Sequence, residues 1–169
     1  VGLFNAGITI VIIYAGMIFS VMESDYYPRL SAIRQKGEEL NTCVNRQLEM
    51  NIMLIGPIII AMIIGLPIII PLLYNTQFLG MLGMTQIATL GMLFKAMYLP
   101  IEYLPLSRGE SKVFLAQESF CVVLLIVCEI VGYKIGEATG IGCLTGLGGG
   151  IVTAYIIEAA AVLAFSRWH

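Results

Sequence analysis

The side chains best placed to do chemistry in this sequence are ionisable residues within long apolar segments. Lys95 lies near the middle of one such segment, and Glu102 follows seven positions later, almost two helical turns on, so both point the same way. Glu129 and Glu158 lie within two later segments. A charge at the centre of a membrane span costs about 2.5–3.5 kcal/mol on insertion scales, so such residues usually face protein or a watery cavity.

Two roles for Lys95 remain open on the sequence alone, and a third fits poorly. The ammonium group could attract an anionic part of a substrate, such as a pyrophosphate, or it could neutralise a buried glutamate on another helix. A lysine that snorkels to a membrane surface needs a nearby membrane edge, and the central position of Lys95 argues against that. Glu129 and Glu158 are candidates for buried acids that couple to a cation.

Other chemistries find no support in the sequence. There is no Ser/His/Asp, HExxH or GxxxxGK pattern, and the only histidine is His169. The four cysteines form no CxxC or Cys/His cluster and fit best as small apolar filler. The net charge is −2 and no basic block occurs, which excludes a nucleic-acid partner. We expect no catalytic site, no metal and no cofactor, and therefore no enzyme.

The composition predicts a membrane protein. Of the 169 residues, 59% are hydrophobic and only 12% are charged, against roughly a quarter charged in a soluble domain. The mean hydropathy is +0.91. Spanning a bilayer takes about 20 apolar residues in a helix, and the apolar runs do not alternate as barrel strands would. We predict an all-α, polytopic transmembrane helix bundle with about five spans. They cover residues 1–22, 50–73, 79–104, 113–133 and 140–165.

The lysines and arginines between these spans predict the orientation of the bundle. Seven fall on one side and one, Lys134, on the other, while Lys95 lies within a span. Because basic residues accumulate in cytoplasmic loops, the richer side is expected to face the cytoplasm. The seven are Arg29, Arg34, Lys36, Arg46, Arg108, Lys112 and Arg167.

The longest connection, residues 23–49, mixes charges with regularly spaced apolar residues. This pattern predicts one or two amphipathic helices that lie along the cytoplasmic interface. Pro28 would suit the first turn of such a helix, where no backbone donor is needed.

Prolines interrupt two of the predicted spans. Pro57, Pro67 and Pro71 lie in the second span and Pro100 in the third, and each removes one backbone hydrogen bond. They could mark bends that open and close a cavity, as in transporters, or reflect the ordinary frequency of proline in membrane helices.

Glycines at intervals of four mark the fifth span. Gly142, Gly146 and Gly150 form two overlapping GxxxG patterns, which place a smooth stripe on one helix face. We expect this stripe to pack against a neighbouring helix of the same chain.

Three stretches carry a resemblance to a known family. They are the run Asp-Tyr-Tyr-Pro-Arg-Leu-Ser at residues 25–31, the pair Asn45 and Gln47 before a proline-containing span, and Arg-Gly-Glu-Ser-Lys at residues 108–112. Over about residues 1–135 the chain resembles polysaccharide biosynthesis flippases of the multidrug/oligosaccharidyl-lipid/polysaccharide exporter superfamily. Members of that superfamily have twelve or more spans in two lobes around a central cavity.

The resemblance implies that this chain is a piece of the C-terminal lobe of a larger two-lobe transporter, with the N-terminal lobe missing. The opening at Val1, in an apolar run without a basic leader, also favours an internal piece. The implied function is to flip undecaprenyl-pyrophosphate-linked oligosaccharide across the bacterial cytoplasmic membrane for lipopolysaccharide O-antigen or another surface polysaccharide. The implied partners are this lipid-linked oligosaccharide and membrane lipids.

In such a transporter Lys95 and Glu102 would line the cavity. Arg29 could meet phosphate at the cytoplasmic mouth, or it could be an anchor of the positive-inside kind. One alternative is a cation-coupled multidrug antiporter of the same superfamily, which needs a titrating acid such as Glu102 or Glu129. A second is a non-transporting membrane enzyme of glycan assembly, expected to show a large outer loop or intramembrane His/Arg chemistry. A third is a structural or assembly subunit without a transport cycle, which the buried charges disfavour.

Overall fold

The computed structural model describes residues 2–33 and 37–166, and helices account for nearly all of them. No strand occurs in these two ranges, so the all-α prediction is confirmed. The elements are α1 (Gly2–Ala32), α2 (Glu38–Leu73), a 3₁₀ segment (Thr76–Met81), α3 (Leu82–Glu102), α4 (Leu104–Ser107), α5 (Ser111–Thr139) and α6 (Cys143–Ser166).

Five helical stretches are long and apolar enough to cross a membrane: α1, α2, α3 with its flanking turns, α5 and α6. Helix α3 occupies the centre and contacts α1, α2 and α6, while α6 separates it from α5. Ile60, Ile64 and Ile68 line one face of α2 and are each more than 60% exposed. An apolar face of this kind suits contact with lipid chains, because acyl chains need no polar partner.

Successive long helices run in opposite directions, as the contacts at the two ends of the bundle show. At one end Tyr26 and Leu30 of α1 pack against Leu40 and Val44 of α2. We call this the basic end. Of the basic residues predicted for this side, the structure describes Arg29, Arg46, Arg108 and Lys112, whereas Arg34, Lys36 and Arg167 lie outside the described residues.

The expected interfacial segment, residues 23–49, is not a separate element. Helix α1 continues through Pro28 to Ala32, and α2 already begins at Glu38. The prediction that a helix starts at Pro28 is therefore wrong, because this proline lies inside α1. The spaced apolar residues face one another across the two helices, so their pattern reflects helix–helix packing instead of a membrane-facing stripe.

The glycine stripe packs inside the chain, as predicted. Gly146 and Gly150 of α6 lie directly against the backbone of α5 at Gly132 and Gly136. Gly142 departs from the prediction, because it precedes α6 in the turn after α5 and has a φ of 105°, a conformation that favours glycine.

Candidate functional site

Three polar side chains of α3 share the face that packs against α6. Tyr98 is 2% exposed and Glu102, the last residue of α3, is 5% exposed, while Lys95 is half-buried. Their spacing of three and four positions places them one above another on the helix. The lysine and glutamate therefore turn into the protein and away from the lipid-facing surface.

Helix α6 supplies the partners of this face. The Tyr98 hydroxyl donates a hydrogen bond to Oε2 of Glu158 at 2.6 Å, and both side chains are buried. The Lys95 ammonium lies 5.8 Å from the centre of the Tyr155 ring, within the range of a cation–π contact. Glu158 also interacts with the charge of Lys95.

Helix α5 contributes a third carboxylate. The Glu118 carboxyl group interacts electrostatically with Glu102, which also interacts with Lys95 and Glu158. We call these residues the ionisable cluster: Lys95, Tyr98, Glu102, Glu118 and Glu158. It joins three helices and contains three carboxyl groups and one ammonium group, and the charge of Lys95 acts on Glu102 and Glu158.

This arrangement lets charged groups of α3, α5 and α6 exchange partners. A single lysine can neutralise only one carboxylate fully, so the remaining negative charge favours a proton or another cation. Interactions between such groups are strong because little water is near to screen them. The cluster can therefore respond to an anionic ligand at Lys95 or to a cation at the glutamates.

The structure brings together only part of the residues predicted for a site. Lys95, Glu102 and Glu158 belong to the ionisable cluster, and Arg29 and Glu129 do not. Arg29 is exposed at the basic end and forms an ion pair of 3.0 Å with Asp25, one turn away. Glu129 lies eleven residues from Glu118 along α5, about 16 Å at the rise of an α-helix.

Two grooves open at the basic end. One, of about 620 Å³, is lined by Arg29, Arg46 and the beginning of α2. The other, of about 580 Å³, lies between α2, the α4–α5 turn and α6, and Arg108 is its basic residue. Glu129 instead borders a groove of about 330 Å³ together with Lys134 and Glu137.

Sequence reasoning missed the part that Glu118 and several neutral polar residues play in the bundle. Glu118 lies near the beginning of α5, where an acid fits an interfacial position equally well. Asn51 and Tyr26 are 1% and 3% exposed, and both donate hydrogen bonds to backbone carbonyls of α3. A buried amide has no distinctive spacing, so only the packing of α1 and α2 on α3 identifies them.

Residues 1–82 match a family model described as polysaccharide biosynthesis protein. This region is similar to polysaccharide biosynthesis proteins. The match covers α1, α2 and the 3₁₀ segment, and it confirms the resemblance found in the sequence there. No curated protein and no solved structure matches the chain. Five helices able to span a membrane indicate a multi-pass membrane protein, and its first 82 residues are similar to proteins of polysaccharide biosynthesis.

Proposed function

We propose that this chain forms part of a transporter that flips lipid-linked oligosaccharide from the inner to the outer leaflet of the bacterial cytoplasmic membrane. The substrate would carry its glycan on undecaprenyl pyrophosphate, and alternating access would move it without any covalent reaction. The observation that carries the proposal is the ionisable cluster between α3, α5 and α6, in a chain whose first 82 residues match polysaccharide biosynthesis proteins.

The physical requirement of such a transporter is a polar interior within the bilayer. A pyrophosphate and several sugars cannot cross hydrocarbon without hydrogen-bonding partners, because each unpaired polar group costs several kcal/mol. The ionisable cluster supplies charge and hydroxyl groups at membrane depth. In this proposal Lys95 meets the pyrophosphate, and Glu102 and Glu158 hold the ammonium group in place until the substrate arrives.

The basic end is assigned to the cytoplasm on the positive-inside rule. Arg29, Arg46 and Arg108 border its two grooves, whose linings also contain Glu38, Glu39 and Glu110. An anionic headgroup would therefore bind single guanidinium groups there without a net positive field to attract it. In this arrangement the substrate would bind first at the basic end and pass to Lys95, which lies seven residues from the end of α3.

A second candidate function is cation-coupled multidrug efflux within the same superfamily. The excess of three carboxyl groups over one ammonium group favours it, because such a site takes up a proton readily. The same excess is also compatible with glycan transport driven by a cation gradient. The experiment must therefore distinguish drug efflux from glycan flipping.

The test is deletion of the full gene followed by a measurement of lipid-linked glycan in each leaflet. We expect the glycan to accumulate on the cytoplasmic leaflet, and a plasmid copy of the gene should restore export. Efflux of cationic dyes should be unchanged in the deletion strain. Normal glycan export combined with loss of dye efflux would reject the flippase proposal in favour of the antiporter.

A further inference from the structure

Two prolines each leave one carbonyl without its helical partner. A proline at position i has no N–H to donate to the carbonyl of residue i−4. Pro67 therefore frees the carbonyl of Ile63 in α2, and Pro100 frees the carbonyl of Ala96 in α3. A carbonyl buried in a bundle must find another donor, because unpaired polar groups are costly away from water.

The two helices satisfy each other's freed carbonyl. Asn51 of α2 donates from Nδ2 to the Ala96 carbonyl of α3 at 3.3 Å. Gln86 of α3 donates from Nε2 to the Ile63 carbonyl of α2 at 3.1 Å. Each side-chain amide thus replaces the backbone donor that a proline removed from the neighbouring helix.

Two further hydrogen bonds support the contact between Asn51 and the Ala96 carbonyl. Gln47 donates to Oδ1 of Asn51 at 3.0 Å, which fixes the direction in which the Asn51 amide points. The Tyr26 hydroxyl of α1 donates to the Pro100 carbonyl at 2.8 Å. Pro100 is fully buried, so α1 and α2 together hold the last turn of α3.

We propose that Pro67 and Pro100 are paired hinges, clamped by Gln86 and Asn51, and that these two amides are positioning residues for the ionisable cluster. A side-chain hydrogen bond can be exchanged while both helices stay intact. A backbone bond within a helix cannot, so the clamps permit bending at two defined places. The Pro100 hinge lies between Lys95 and Glu102, so bending there changes the position of one relative to the other.

Double-mutant cycles on the purified full-length protein test the clamp itself. In the wild-type background, Asn51→Leu should lower Tm by about 4–8 °C, because it removes two ordinary hydrogen bonds, the one to Ala96 and the one from Gln47. In the Pro100→Ala background this loss should be about 2–4 °C smaller, since the restored N–H of residue 100 can donate to the Ala96 carbonyl. The bond from Gln47 is lost in both backgrounds, so the difference between the two losses reports the Ala96 bond alone.

The second clamp gives an independent cycle, and another proline gives the control. Gln86→Leu should behave in the same way with Pro67→Ala. Pro57 frees the carbonyl of Met53, which accepts no side-chain hydrogen bond from the described residues, so Asn51→Leu and Pro57→Ala should be additive. Additive effects in both the Asn51–Pro100 and the Gln86–Pro67 cycle would overturn the clamp.

A transport measurement tests the hinge and rests on the proposed function. In proteoliposomes containing lipid-linked oligosaccharide, Pro67→Ala and Pro100→Ala should each slow flipping at least threefold without lowering Tm. Pro57→Ala should flip at the wild-type rate. Equal rates in all three variants, or equal slowing by Pro57→Ala, would overturn the hinge. A wild-type protein without flipping activity would reject the proposed function, while the cycles would still decide the clamp.

Discussion

The bond between Tyr98 and Glu158 shows at the level of single residues how the bundle keeps a carboxyl group inside. Its length of 2.6 Å is typical of a hydroxyl bound to a carboxylate, and both side chains are buried. A buried carboxyl group without a donor would lose the interactions with water and gain nothing in return. Tyr98 therefore stabilises the buried carboxyl group of Glu158.

Tyr98→Phe should lower the free energy of unfolding by about 1–3 kcal/mol, because it removes the hydroxyl and leaves Glu158 with an unpaired oxygen. Thermal or denaturant unfolding of the purified full-length protein measures this. Tyr74→Phe is the matched control. Tyr74 is 41% exposed, and the described contact of its side chain is the stacking of its ring on Phe78, which phenylalanine keeps. Equal effects of the two substitutions would show that the bond to Glu158 contributes no stability.

For single residues, the sequence predicted which side chains share a helix face but not which side chains of other helices they contact. The spacing of Lys95 and Glu102 placed both on one face of α3, and the structure agrees. The sequence could not show that Glu158 and Glu118 meet that face. Which helices surround α3 is decided by the packing of the whole bundle, and helical periodicity describes one element at a time.

Among the elements, α5 and α6 make the closest contact in the bundle. A Cβ at Gly136 would lie 2.7 Å from the Gly142 carbonyl oxygen, and one at Gly146 would lie 2.8 Å from the Gly136 Cα. These atoms belong to the backbone, so they cannot move aside as a flexible side chain can. Glycine is required because the two helices approach each other along their main chains.

Gly146→Ala should destabilise the protein by about 1–3 kcal/mol, the usual effect of inserting a methyl group into a closely packed contact. Gly149→Ala, on the same helix, is the control. A Cβ there meets no atom within 4 Å, and alanine should even stabilise the helix by about 0.5–1 kcal/mol. Thermal unfolding of both variants decides the matter. Unchanged stability of Gly146→Ala would refute the close helix contact.

The helix ends were the least predictable elements. Apolar segments located the five spans, because the bilayer sets a length and a composition that hydropathy detects. The extensions of α1 and α2 beyond those segments were missed, since charged and apolar residues alternate there much as in a surface helix. Only the contact of Tyr26 and Leu30 with α2 shows that this apolar face is covered by protein.

At the scale of the whole molecule, α3 is the element on which the account depends. It carries Lys95 and Glu102 toward α5 and α6, and it exchanges amide hydrogen bonds with α2 on another side. A change in the α2–α3 contact is thus transmitted to the ionisable cluster through one helix. The proposed transport cycle follows from this position, with charges on one face of α3 and the hinge clamps on another.

Glycan flipping by a Lys95→Ala variant of the full-length protein tests the central claim most directly. The measurement compares lipid-linked glycan in the two leaflets of a deletion strain that expresses either variant at the wild-type level. Lys95→Ala should reduce export at least tenfold, Lys95→Arg should recover part of it, and Lys134→Ala, at an exposed position outside the cluster, should leave it unchanged. Wild-type export by a well-expressed Lys95→Ala protein would contradict the account.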